Sequence, residues 1–152
     1  MIIPEGFRLA QIADRVGRLP GMSKQKFLEL AASGQVRSEF QPNDSKSLEG
    51  FLFPSTYSIS ASDDELTMLQ RMVNLFDIQA HTAGLDAAGR QIGHTPYDTL
   101  IIASLIEAEA KTEGDRWKIS QVIENRGAID MALQIDASVL YGLGNTKTSL
   151  SK

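Results

Sequence analysis

Apolar residues recur at helical spacing in five stretches of this 152-residue chain, and residues that start or stop helices bracket most of them. Phe7, Leu9, Ile12, Ala13 and Val16 form the first stretch, stopped by Gly17. After the turn Leu19-Pro20-Gly21, Ser23 is placed to cap a second helix through Phe27, Leu28, Leu30 and Ala31, closed by Gly34. Ser62-Asp63-Asp64-Glu65 has the form of a capping box, and the helix after it buries Leu66, Leu69, Met72, Val73 and Phe76 and ends before Gly84. Thr95 is the expected N-cap of a fourth helix, with Pro96 in its first position and Asp98 reaching back. A fifth follows Gly114 and uses Trp117, Ile119, Val122 and Ile123 as its buried stripe. Short helical turns are predicted at 86–92 and 137–141, and Met131 to Ile135 as a short extended segment.

Met1-Ile2-Ile3, running into Pro4-Glu5-Gly6, predicts a short strand, and the aromatic run from Leu48 to Tyr57 predicts a strand and bend. The polar residues 35–47 predict a loop or linker. The expectation is therefore an α+β protein: a strand-helix-helix module over residues 1–45, then a helix-rich region with short strands over 46–152.

The fourth helix carries the strongest chemical signal. From Leu100 to Lys111 it is apolar almost all the way round, yet Glu107 sits in its middle. At about 100° per residue, Ser104, Glu107 and Lys111 share one stripe and Glu109 points away from it. A carboxyl among buried residues must be paired or neutral, and a neutral Glu in a cleft is a general acid. Two architectural readings stand beside that one. Glu107 and Lys111 form an i, i+4 ion pair in the favourable order, or Glu107 caps the N–H groups of a nearby loop.

Composition narrows the field. A hydrophobic fraction of 42% and a charged fraction of 22% suit an ordinary globular chain. The net charge of -4 and the absence of any Lys/Arg run argue against nucleic acid as a partner. With no cysteine there is no disulfide, thiol nucleophile or thiolate-bound zinc. His81 and His94 are the only histidines and nothing in the sequence places them together, so neither a metal nor a cofactor is expected. No apolar run approaches the ~20 residues that a membrane span needs.

Three separated segments carry a resemblance. Glu49-Gly50-Phe51-Leu52-Phe53-Pro54-Ser55-Thr56-Tyr57 is the first, and Ala103-Ser104-Leu105-Ile106-Glu107-Ala108-Glu109 the second. The third runs from Asn125-Arg126 through Met131-Ala132-Leu133-Gln134-Ile135-Asp136 to Tyr141-Gly142. In order and spacing they resemble the YceG-like endolytic murein transglycosylases. The start Ile3-Pro4-Glu5-Gly6, with the helices after it, resembles the small LysM-like module that precedes the catalytic region in that family. Gly127 stands where the family usually has Leu, and Ala137 where Pro is common.

That resemblance implies cleavage of peptidoglycan glycan strands between N-acetylmuramic acid and N-acetylglucosamine, leaving 1,6-anhydromuramic ends. It places the catalytic acid at Glu107, and substrate contacts at Asn125, Arg126, Gln134, Asp136, Tyr57 and Tyr141. Asn125, Arg126 and Gln134 would meet N-acetyl, lactyl or peptide groups, Asp136 would orient Arg126 or help stabilise oxocarbenium charge, and the tyrosines would pack on sugar rings. Partners would be the glycan strand itself and cell-wall synthesis enzymes, at the extracytoplasmic face of the bacterial membrane. Family members begin with a membrane anchor and continue past Tyr141-Gly142. The chain is therefore expected to be truncated at its C-terminus, with an incomplete sheet edge that favours a homo-oligomer. A non-catalytic glycan-binding module is the alternative. A third reading, aminodeoxychorismate lyase, is an older label of the family, but it needs pyridoxal phosphate on a Schiff-base lysine, and Lys111 and Lys118 lack a phosphate cup.

Overall fold

Among the described residues, five helices form where the apolar spacing places them: α1 (Leu9–Val16), α2 (Lys24–Ser33), α3 (Glu65–Thr82), α4 (Pro96–Glu109) and α5 (Glu113–Ala128). A single 3-10 turn, Arg90–Ile92, precedes α4. The computed structural model describes residues 1–136 and residue 138. The chain divides into two units, Met1–Ala88 and Gly89–Lys152.

In the first unit α1 packs on α2 and α2 on α3. Ile12 and Val16 of α1, Phe27 and Ala31 of α2, and Met68, Leu69, Met72 and Val73 of α3 are all buried. Leu48 and Phe51 join the same core, and the Phe51 ring meets Phe76 edge-on at 5.3 Å. Residues 1–45 thus share their core with 48–57 and α3. The polar segment 35–47 folds back on itself: Gln41 Nε2 donates to Ser45 O and Ser47 O, at 3.1 and 2.9 Å, and Arg37 to Pro42 O at 2.8 Å.

The expected α+β class is overturned. Among the described residues the fold is helical, and the only strand-like feature is one antiparallel bridge between Ile2 and Thr56. Two hydrogen bonds flank it, Ile3 N to Ser55 O at 2.9 Å and Tyr57 N to Met1 O at 2.7 Å. Prolines stop it from growing into a ladder. Pro4 and Pro54 have no N–H to offer, and the Phe53 N–H is given to Met72 O of α3 at 3.3 Å. The strand expected at the start of the LysM-like module and the one expected from Leu48 to Tyr57 are therefore not formed, and Met131 to Ile135 joins no strand.

One cap moves. The N-cap of α3 is Asp64, whose Oδ1 accepts from the Thr67 N–H at 2.8 Å, two residues after the expected Ser62. Glu65 does not reach back to Ser62. It is buried against the start of α2, where Oε1 accepts from the Ser23 N–H at 2.7 Å and Oε2 pairs with Lys26 Nζ at 2.7 Å. A negative group at a helix N-terminus is favourable, so a tertiary contact outcompetes the local box.

Among the described residues, the second unit is built on an α4–α5 hairpin joined by Ala110, Lys111 and Thr112. Its start is tightly specified. Gly89 has φ +77°, and a Cβ there would meet Thr99 Oγ1 at 2.4 Å and His94 Cβ at 2.8 Å. Thr95 and Asp98 form the expected box, Thr95 N donating to Asp98 Oδ2 at 2.9 Å and Asp98 N to Thr95 Oγ1 at 3.1 Å. The Thr95 hydroxyl, donating to Asp98 Oδ2 at 2.7 Å, and then the Thr95 N–H hold the Asp98 carboxyl below its ordinary range. Burial departs from expectation. No residue of α4 is buried, and on α5 only Ile123 is. Val122 is exposed, as is Trp117.

Candidate active site on the α4–α5 hairpin

Glu107 lies near the closed end of the hairpin, two residues before α4 stops at Glu109. Ala110 turns extended, with ψ 125°, so Lys111 leaves the helical path and the i, i+4 pair expected with Glu107 is not made. The partner comes from α5. Arg116 Nη2 stands 3.2 Å from Glu107 Oε2, and Arg116 Nε stands 3.5 Å from Glu113 Oε2. The Glu107 side chain is 61% exposed. Its small neighbours Ala103, Ser104 and Ala108 are also exposed, so one flank of α4 lies open to a ligand. The Ser104 hydroxyl is turned inward to Ile101 O, at 2.7 Å.

A shallow hollow of about 540 Å³ opens elsewhere on this hairpin, between Ile101 and Ile102 of α4 and Ile123 and Glu124 of α5, with His94 and Leu133. His94 Nε2 lies 3.0 and 2.9 Å from the two carboxylate oxygens of Glu124. Glu107 does not line this hollow. Neither His94 with Glu124 nor Arg116 with Glu107 was anticipated from the sequence. Arg116 had a usable signal, because residues 107 and 116 are nearly equidistant from a turn centred on Lys111 and Thr112, as facing residues of an antiparallel hairpin must be.

The remaining expected site residues fall out as follows. Asn125 is exposed on α5, its Oδ1 accepting from Gln121 Nε2 at 3.0 Å. Arg126 turns back on its own chain. Its Nη1 donates to Leu133 O and its carbonyl accepts the Met131 N–H at 2.8 Å, so it closes the turn after α5 instead of meeting Asp136. Gln134 and Asp136 are exposed, and Gln134 takes φ +52°. Tyr57 belongs to the first unit. It is buried, its hydroxyl donates to Phe53 O at 2.6 Å, and burial pushes its phenol up to about 12. Tyr141 lies outside the described residues.

Glu49, from the first matching segment, accepts from the Leu9 N–H with both carboxylate oxygens, at 3.1 and 3.3 Å. It caps the start of α1.

The YceG-like family model matches residues 1–152. The chain belongs to the YceG-like family. A relative called endolytic murein transglycosylase in Streptococcus pneumoniae is 33% identical over 171 aligned residues, covering 99% of this chain and 30% of that protein. One of the same name in Bacillus subtilis is 30% identical, over 95% of this chain and 44% of that protein. The crystal structure of a YceG-like protein from Listeria monocytogenes superposes with a TM-score of 0.79 at 29% identity, covering 99% of this chain and 53% of that one. The chain thus spans between about a third and a half of these relatives.

Proposed function

We propose that this YceG-like chain carries the acid/base residue of a peptidoglycan lytic transglycosylase, Glu107, and cuts glycan strands between N-acetylmuramic acid and N-acetylglucosamine. One observation carries the reading: the family's matched glutamate stands on an open helix flank with small neighbours and a positioned carboxylate. The relatives' name, endolytic murein transglycosylase, supports the choice of substrate. Action on that polymer places the chemistry at the extracytoplasmic face of the membrane.

A glycosidic oxygen leaves readily only once protonated, so Glu107 must deliver a proton. The resulting carboxylate then takes the proton of the muramic acid C6 hydroxyl as that oxygen bonds to C1, and the 1,6-anhydro ring closes. The nucleophile is already tethered to the reacting sugar, which gives it a high effective concentration and removes the need for a second carboxylate. Glu109, on a different face of α4, is not required. A carboxyl exposed to this degree has no protein cover of its own among the described residues. A glycan strand lying on the Ala103–Ser104–Ala108 flank would provide that cover. Asn125, Arg126, Gln134 and Asp136 are the proposed hydrogen-bonding positions for the sugar substituents.

Incubation with peptide-free glycan strands, followed by mass spectrometry, tests this. New anhydromuramyl ends are expected from the native chain, and about 10²–10⁴-fold fewer from Glu107→Gln. Equal product from both proteins would remove the assignment. Binding without turnover by both would identify a glycan-binding module instead.

A further inference from the structure

Arg116 faces two carboxylates with two different nitrogens. Nη2 stands 3.2 Å from Glu107 Oε2 across the turn, and Nε stands 3.5 Å from Glu113 Oε2 within α5. Glu113 is the first residue of α5 and lies three residues before Arg116, so helix geometry keeps the two side by side. The start of that helix is itself pinned. Thr112 N donates to Asp115 Oδ2 at 3.0 Å, and the Thr112 hydroxyl donates to the same oxygen at 2.8 Å. Asp115 is thereby engaged by the cap, and it is Glu113 that meets Arg116. On α4, Glu109 points to a different face and Lys111 leaves the helical path. Among the described residues, the charged groups gathered at Glu107 are therefore Arg116 and, through it, Glu113.

The acid/base role proposed for Glu107 places a conflicting demand on Arg116. A guanidinium beside a carboxyl favours the ionised form. That suits the carboxylate that accepts the C6 hydroxyl proton, but it opposes the neutral acid that starts the reaction. We propose that Glu113 is a positioning residue that shares Arg116 with Glu107, so that Arg116 aims the catalytic carboxyl without locking it in one charge state. The assignment rests on the function proposed above and deepens it. When Glu107 takes up a proton, Arg116 keeps a charged partner in Glu113. When Glu107 gives the proton away, Nη2 is already beside the new carboxylate. All three side chains are about half or more exposed, so solvent screens the balance and keeps it within about one pH unit. A group that must exist in both forms in every turnover needs a balance on that scale.

Carbon-13 NMR of the glutamate carboxyls in the full chain tests the sharing without substrate, the Glu107 signal being assigned by its loss in Glu107→Gln. In Glu113→Gln the whole guanidinium is left to Glu107, and the Glu107 titration midpoint should fall by about half a unit relative to the native chain. The difference should shrink in about 1 M salt, where the screening length is ~3 Å. It should largely disappear when both proteins also carry Arg116→Ala, since Glu113 then has nothing to share. Turnover of glycan strands should follow, its decline with rising pH moving down by the same half unit, about a threefold loss on that limb. An unmoved midpoint in Glu113→Gln would overturn the proposal, as would an equal shift without Arg116. So would a fall in turnover with an unmoved pH profile, which would mean that Glu113 only supports the start of α5. The two readings fail separately. If Glu107→Gln still cuts strands, the acid is misassigned while the midpoint shift still reports the sharing. If the midpoint stays put and Glu107→Gln is inactive, the acid stands and Glu113 has no part in setting its charge.

Discussion

Arg116 of α5 reaches across the hairpin turn to place Nη2 3.2 Å from Glu107 Oε2 of α4. Both partners are about half or more exposed, so the pair fixes geometry more than it contributes stability. Arg116→Ala is expected to change unfolding free energy by less than about 1 kcal/mol. Turnover should fall further than that, because the carboxylate loses the contact that aims it. Denaturant melts beside product yields on glycan strands separate the two effects, and a large stability loss would show that the pair is architectural.

Glu65 is the opposite case. It is buried, and burial by itself would raise its carboxyl. The hydrogen bonds from Lys26 and the Ser23 N–H outweigh that and leave it below its ordinary value. A depressed carboxylate contributes stability that is present above its unfolded pKa and lost as pH falls through the folded one. Glu65→Ala should cost about 2 kcal/mol at neutral pH, from lost charge-assisted bonds. It should also flatten the loss of stability on acidification below the ordinary glutamate range. A melt as steep with pH in the variant as in the native chain would contradict this.

His81 titrates with the reverse sign. At the end of α3 its Nδ1 lies 2.8 Å from Asp86 Oδ1 and its Nε2 lies 2.8 Å from Glu39 Oε1, and the ring leans on Phe40 at 5.0 Å. Asp86 first and Glu39 second raise its pKa. Asp77, whose carboxyl is itself pushed up by burial, also faces it. The charged ring's contribution is complete below the ordinary histidine value of about 6.5 and is lost as pH rises through the raised one. The melting temperature should therefore drop from mildly acid to mildly alkaline pH, and His81→Gln should remove that step. Proton NMR of the imidazole checks the midpoint; a value at or below the ordinary one would refute the bridge.

Tyr57→Phe should cost about 1 kcal/mol, the net worth of a buried hydroxyl bond to Phe53 O. Binding of an N-acetylglucosamine oligomer should be unchanged. Weaker binding with the stability intact would put Tyr57 on the sugar surface after all.

Helices were legible because their signals are local. Ser23 and Gly34 bound α2, and Thr95, Pro96 and Asp98 open α4, since capping chemistry acts over three or four residues. Residues 1–3 and 48–57 have strand-like composition, yet a ladder needs a run of donors on both sides. Pro4 and Pro54 withhold theirs, and α3 takes the Phe53 N–H. The box at Ser62 failed for a related reason, as the start of α2 claims Glu65.

The sequence alone determined the helical segments, most of their caps and the family to which Glu107 belongs, because periodicity, capping and motif order are all written along the chain. Only the tertiary structure decided which faces are covered. A helical stripe such as Trp117, Ile119, Val122 and Ile123 announces apolarity without naming its partner, and among the described residues only Ile123 of that stripe is buried. The same holds for Glu107, whose ion-pair partner was settled by how α5 folds back from the turn, a distance in space that spacing along a single helix cannot express.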